Sequence, residues 1–209
     1  MTKNKCNVPN KADSDSSFLI FRVWDLFDHD LFRISIFGFR IFWLIQRDKT
    51  LEQGTIISIH VAKSGGAPME TVTRALIVAG RGLQGDRYHE RIGTYSTHPG
   101  SGREVTLIET EALEALKRDY GVDIEPAQAR RNIVTCAVAL NHLVGREFVV
   151  GEARLRGMRL CDPCAHLENL SARGALRGLI RRGGLRADVV SGGIIRVGDS
   201  VTAHSDRFE

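Results

Sequence analysis

The stretch Arg103-Glu-Val-Thr-Leu-Ile-Glu-Thr-Glu-Ala-Leu-Glu-Ala-Leu-Lys-Arg-Asp-Tyr-Gly121 decides the fold class. It opens as a strand, 103–108, and becomes a helix over 109–120, where Ala112, Leu113, Leu116 and Tyr120 recur at helical spacing and Gly121 supplies the stop. Strand-like runs lie on both sides: 55–62 and 74–79 before it, then 132–136, 147–150, 153–160, 187–190 and 194–203. Gly151, Gly192-Gly193 and Gly198-Asp199 punctuate them as turns. Between Cys164 and Arg186 there is room for two short helices, the second (175–182) placing Leu176, Leu179 and Ile180 on one face before Gly183-Gly184. Many short strands, few helices and no regular βαβ alternation imply a mainly β, α+β domain built on a β-barrel rather than a doubly wound sheet.

Upstream of this domain, which the pattern places at 54–209, residues 1–53 read differently. A polar start gives way to an apolar run, Phe18 to Ile45, whose longest apolar stretch, Ile34 to Ile45, is interrupted by Arg40 and falls well short of the ~20 residues a bilayer crossing needs. No small-residue cleavage site follows it, so it does not read as a secretory signal. The segment is expected to be an extension that is disordered or not native protein, with Leu51 marking a later start. The competing reading is an amphipathic anchor on a membrane surface.

With 209 residues the chain can bury a core without disulfide staples, and its four cysteines, Cys6, Cys136, Cys161 and Cys164, are too sparse for a secreted framework. A reducing cytoplasm is the expected location. The formal charge is +4, and Lys63 and Lys117 are the only lysines beyond Lys49, so the basic character of the second half is arginine. Guanidinium forks suit phosphate and carboxylate, which points to an anionic small ligand. Arg130-Arg131 and Arg181-Arg182 are pairs, not the aromatic-interleaved basic stripe a nucleic acid requires.

Gly80-Arg81-Gly82-Leu83-Gln84-Gly85 matches the dinucleotide-binding glycine pattern after a strand. The continuation Asp86-Arg87-Tyr88-His89-Glu90-Arg91-Ile92-Gly93 is polar and broken by glycine, so no helix is expected to start within it and face a pyrophosphate. The run reads instead as a tight loop that presents Asp86, Arg87 and His89 to a site.

Arg159-Leu160-Cys161-Asp162-Pro163-Cys164-Ala165-His166 places two cysteines between a strand and a helix. A thiolate at a helix start is a better nucleophile and soft-metal ligand. Four readings stand: half a zinc site, which lacks a second pair; a thioredoxin-like couple, late in the wrong fold; two buried small hydrophobes; or a thiolate that binds a soft metal or carries sulfur. Arg130-Arg131-Asn132 could supply an anion-binding edge beside it.

Taken in order, Gly82 to Tyr88, Arg103 to Glu111, Arg130 to Thr135, Leu140 to Gly145, Cys161-Asp-Pro-Cys164 and Gly192 to Asp199 resemble the MOSC domain, the C-terminal domain of molybdenum cofactor sulfurases, and its stand-alone bacterial relatives. The resemblance runs from about residue 54 to residue 203. It implies a MOSC-like β-barrel, the molybdenum cofactor (molybdopterin) as ligand, and Cys164 as the catalytic or metal-ligating cysteine. Gly85-Asp86 matches the family's glycine-aspartate loop and Arg131-Asn132 its arginine-asparagine element, which implies Asp86, the adjacent Arg87, Arg131 and Asn132 as cofactor-binding residues. Implied activities are sulfur transfer to the cofactor, with a desulfurase as donor, or molybdenum-dependent reduction of N-hydroxylated compounds, with a separate electron-donor reductase. Pyridoxal phosphate belongs to a fused desulfurase domain for which this chain has no room and no evident Schiff-base lysine. The alternative from another class is a non-enzymatic module for a small anion or a partner protein.

Overall fold

Closure of the sheet is what positions the site. In this computed structural model residues 53–97 and 100–203 are described, so the reading of residues 1–53 as an extension lies, Gln53 apart, outside the described residues. The strands are β1 (Gln53–Val61), β2 (Glu70–Val72), β3 (Arg74–Val78), β4 (Gly82–Leu83), β5 (Val105–Glu109), β6 (Ile133–Cys136), β7 (Glu147–Val150), β8 (Ala153–Leu160), β9 (Leu185–Ser191), β10 (Gly193–Arg196) and β11 (Ser200–Ala203). The helices are α1 (Thr110–Tyr120), α2 (Ala165–Leu170) and α3 (Ala175–Gly178). One sheet runs β11-β7-β8-β9-β5-β6-β1-β2, and β11 also pairs with β1, so seven strands close a barrel with β2 extending one edge. A smaller sheet, β10-β3-β4, stands beside it.

Register explains which side chains go where. Leu160 pairs with Leu185, Leu185 with Leu107, Leu107 with Ile133 and Ile133 with Ile59. The last four of these belong to the fully enclosed apolar core of the barrel, each contributing about 1.5–3 kcal/mol by leaving water. Successive residues of a strand face opposite sides. The next step along the same strands, Arg159, Arg186, Thr106, Asn132 and His60, therefore falls on the outer wall.

A second core covers part of that wall. Ile108 and Val134 project outward to meet Leu113 and Leu116 of α1, with Leu167 from α2 and Leu179 just after α3. The helix α1 crosses between the parallel neighbours β5 and β6 and ends at Gly121, whose left-handed φ of 68° lets its N–H reach the Lys117 carbonyl.

The mainly β, barrel-based architecture expected from sequence is what the chain forms, with differences at element ends. The apolar run 194–203 is two strands, because Gly198 turns the chain at φ 93°. The helix expected over 175–182 stops at Gly178, so Leu179 is buried while Ile180 is exposed, and the two do not share a face with Leu176. The short β2 and β4 carry too few residues to show a period. Gly82–Leu83 pairs with β3 and is followed by turns instead of a helix, so the glycine pattern here is a loop.

Candidate functional site

An open cleft of about 530 Å³, its solvent-filled mouth included, lies on the outer wall and brings together Arg87, Arg130, Arg131, Arg186, Cys164 and His166. Its floor includes Thr106. The arginines arrive from separate places: the turn after β4, the approach to β6, and β9.

Gly85, at φ 82°, turns the chain so that Asp86 is driven inward to 1% exposure. The Asp86 carboxylate accepts from the Ala62 N–H at 3.0 Å, the Tyr88 N–H at 3.1 Å and the Arg87 guanidinium at 3.1 Å. Arg87 is itself 7% exposed, and its guanidinium carbon sits 5.0 Å from the centre of the Tyr88 ring. Asp86 thus fixes the loop and aims its neighbour.

Arg130 has a left-handed backbone at φ 57°, an uncommon state for a residue with a long side chain. Its guanidinium donates to the carbonyls of Ala67 at 2.9 Å and Gly65 at 3.1 Å. Burial, followed by the charge of Arg87, pushes the Arg130 guanidinium below its ordinary value, with Asp86 acting the other way. This cleft holds more positive charge than its carboxylates offset.

Arg131 plays a different part. Its Nε donates to Gly183 O at 2.9 Å, Nη1 to Ala129 O at 3.1 Å and Nη2 to Cys161 O at 3.2 Å. The guanidinium ties the loop before β6 to the cysteine loop and to the glycines before β9. Gly184 makes that approach possible: at φ 98°, any Cβ would stand 1.9 Å from Leu107 O, while its own carbonyl accepts from the Cys161 N–H at 2.7 Å. Cys161 is 1% exposed, whereas Cys164 is exposed, extended (φ −143°), and accepts the Glu168 N–H of α2 at its carbonyl.

Asn132 lies under the cleft instead of in it. Its side-chain oxygen accepts from the Thr106 N–H and hydroxyl, and its NH2 donates to His60 O at 3.2 Å. The mouth is walled by Tyr95, whose ring meets that of His166 edge-on at 6.5 Å and 82°.

With this geometry stands a family match: the model of the MOSC domain matches residues 94–202. The chain belongs to the MOSC domain family. Among solved structures, this MOSC domain is similar to the YuaD protein from Bacillus subtilis, with TM-score 0.62 and 16% identity over 74% of this chain and 97% of the other. It is also similar to YiiM from Geobacillus stearothermophilus, with TM-score 0.55 and 16% identity over 73% of this chain and 75% of that one. YiiM from Escherichia coli shows TM-score 0.50 and 17% identity over 73% and 72%. These likenesses are of fold. No curated protein matches the chain.

Of the residues singled out from the MOSC resemblance, Cys164, Arg87 and Arg131 line the cleft, while Asp86 and Asn132 stand behind it with their polar atoms engaged by the protein. Arg186 and Tyr95 also line it and were not singled out. The signal for Arg186 was available in the alternation of 185–191, which buries Leu185, Ala187 and Val189 and turns Arg186 the other way. Tyr95 had no sequence signal, because the loop that carries it has no period. Lys63 and Lys117 are exposed and paired with Glu70 and Asp123. No helix of the described residues is long and apolar enough to cross a membrane.

Proposed function

We propose that this MOSC domain holds a molybdenum cofactor in the cleft, with Cys164 as its working thiol. The single observation that carries the reading is that the exposed Cys164 lines the same cleft as Arg87, Arg130 and Arg131, each less than a tenth exposed and together offset by one buried carboxylate, Asp86. The donor set fits: a soft thiolate suits molybdenum, and guanidinium forks suit the phosphate of a pterin cofactor. When bound, the cofactor supplies two-electron redox chemistry.

Each residue has a role in that reading. Cys164 ligates the metal or carries the sulfur delivered to it. Arg87 and Arg130, each aimed by contacts to the chain, hold the phosphate, and Asp86 keeps Arg87 in place. Arg131 and Asn132 hold the cysteine loop and the floor, acting through the backbone. The activity is either sulfur transfer to the cofactor, supplied by a desulfurase, or reduction of N-hydroxylated compounds, driven by a separate electron-donor reductase. Pyridoxal phosphate has no place in it.

Elemental analysis and peptide mass spectrometry of the full chain, purified from a molybdenum-replete host, test this. About one molybdenum per chain, lost in Cys164→Ser, supports the reductase; little metal with a persulfide on Cys164 supports the sulfur carrier. Absence of both, with Cys164→Ser indistinguishable from the parent, overturns the proposal.

A further inference from the structure

Arg159 of β8 and Arg186 of β9 are directly paired residues on adjacent antiparallel strands, on the outer wall of the barrel. Like charges placed opposite each other on one face of a sheet repel, and a carboxylate neighbour ordinarily relieves them. Here none does. Neither Arg159 nor Arg186 forms an ion pair among the described residues, nor does Arg103, which enters from the loop before β5. Gly102 brings that third arginine in: a Cβ on Gly102 would lie 3.2 Å from Arg186 Cβ and 3.8 Å from Arg159 Cγ.

The nearby carboxylates are committed elsewhere or stand at the mouth. Asp188 accepts the Gly102 N–H at 2.6 Å, which fixes the loop. Glu104 accepts the N–H groups of Gly80 and Val189. Asp162 lines the cleft on the cysteine loop and is exposed. Meanwhile the Nε atoms of Arg103 and Arg186 are both buried and have no hydrogen-bond partner. The remaining bonds of these two guanidinia are one each, Arg103 to Tyr95 O and Arg186 to Gly102 O at 3.4 Å. These Nε atoms are out of reach of solvent, so the donors open to a ligand are the remaining Nη groups of the two forks and the exposed Arg159.

We infer that Arg103, Arg159 and Arg186 form a second anion subsite on the rim of the cleft, which takes the carboxylate or phosphate of a small anionic substrate and holds that molecule beside Cys164. This rests on the reading above, in which the inner arginines, Arg87 and Arg130, are occupied by the cofactor. The rim trio stands on β8, β9 and the loop before β5, whereas the inner pair is tied to the 62–69 segment, so the two sets belong to different elements. Arg186 lines the same cleft as Cys164, so the rim subsite opens on the cleft that holds the thiol. Neutral substrates leave the facing like charges of Arg159 and Arg186 unrelieved, and the site selects against them.

The test is a titration of the isotopically labelled full chain with inorganic phosphate, followed by amide NMR. Saturable shifts are expected at Gly102, Arg103 and Arg186, with apparent affinity reduced about tenfold or more in Arg186→Gln and Arg159→Gln and largely kept in Arg186→Lys. Arg177→Gln, an exposed surface change, serves as control and leaves the titration unaltered. Acetate in place of phosphate separates the two sources, since the anion that saturates at lower concentration names the substrate's group. Equal titrations in the parent and both glutamine variants, or shifts confined to Gly65 and Arg130, overturn the subsite. The readout needs no molybdenum: a chain from a molybdenum-replete host with neither metal nor a Cys164 persulfide, whose rim still responds, refutes the cofactor reading and keeps the subsite. A molybdenum-loaded chain whose rim is silent refutes the subsite alone.

Discussion

Asn132 and Thr106 are locked together on the outer wall: the Asn132 side-chain oxygen accepts from both the Thr106 N–H at 3.2 Å and the Thr106 hydroxyl at 2.9 Å, while the Thr106 hydroxyl faces the Asn132 N–H at 3.1 Å. With the Asn132 amide also on His60 O, one side chain joins β5, β6 and β1. Asn132→Ala removes the oxygen and the NH2 together and leaves buried backbone groups unmet. A loss of about 2–4 kcal/mol is expected, read as a lower urea midpoint with an unchanged slope.

Arg131 serves three buried carbonyls through a planar fork that an ammonium cannot copy. Arg131→Lys keeps the charge but abandons at least one of them, at about 1–3 kcal/mol each. The cysteine loop loses its anchor at Cys161 O. The expected outcome is a lower melting temperature together with faster amide hydrogen exchange at Cys161.

The two cysteines should separate cleanly. Cys164 is exposed, so Cys164→Ser is expected to change stability by no more than about 0.5 kcal/mol, while removing the molybdenum or persulfide. Cys161 is 1% exposed, so Cys161→Ala is expected to cost about 1–2 kcal/mol and to leave the bound metal or sulfur on Cys164. Thermal denaturation beside elemental analysis of both variants checks the pair of outcomes.

His60 provides a pH signature away from the cleft. Burial holds its imidazole below the ordinary 6.5, with the Ser58 hydroxyl at one ring nitrogen and the Thr71 hydroxyl at the other. The folded chain favours the neutral ring, so the unfolded chain takes up its proton first as pH falls. The stability this residue gives is complete above about pH 6.5 and is lost as pH falls through that value toward the lowered one. In His60→Gln, which does not titrate, urea midpoints at about pH 8 and about pH 5 should differ less than in the parent.

Much of this was legible in the chain. The spacing of Ala112, Leu113 and Leu116 fixes α1, the alternation in 153–160 fixes β8, and the ordered motifs from Gly82 to Asp199 mark the MOSC family, because all three are local patterns of residue type. Helix ends and the shortest strands were not. Ile180 looked like the buried face of a helix that in fact stops at Gly178, since burial there depends on what α1 can cover.

The sequence by itself determined that the chain is a mainly β MOSC domain, with a Cys161-Asp-Pro-Cys164 element and the arginine pair Arg130-Arg131. Only the tertiary structure decided which polar residues are free to meet a ligand. Asp86 and Asn132 are spent on the protein's own backbone, and Arg131 donates to three carbonyls. Arg159 stands directly opposite Arg186, and neither forms an ion pair among the described residues. The reason is that barrel closure and strand register are long-range: the contact from Arg186 to Gly102 spans 84 residues, and no window of sequence contains both ends of it.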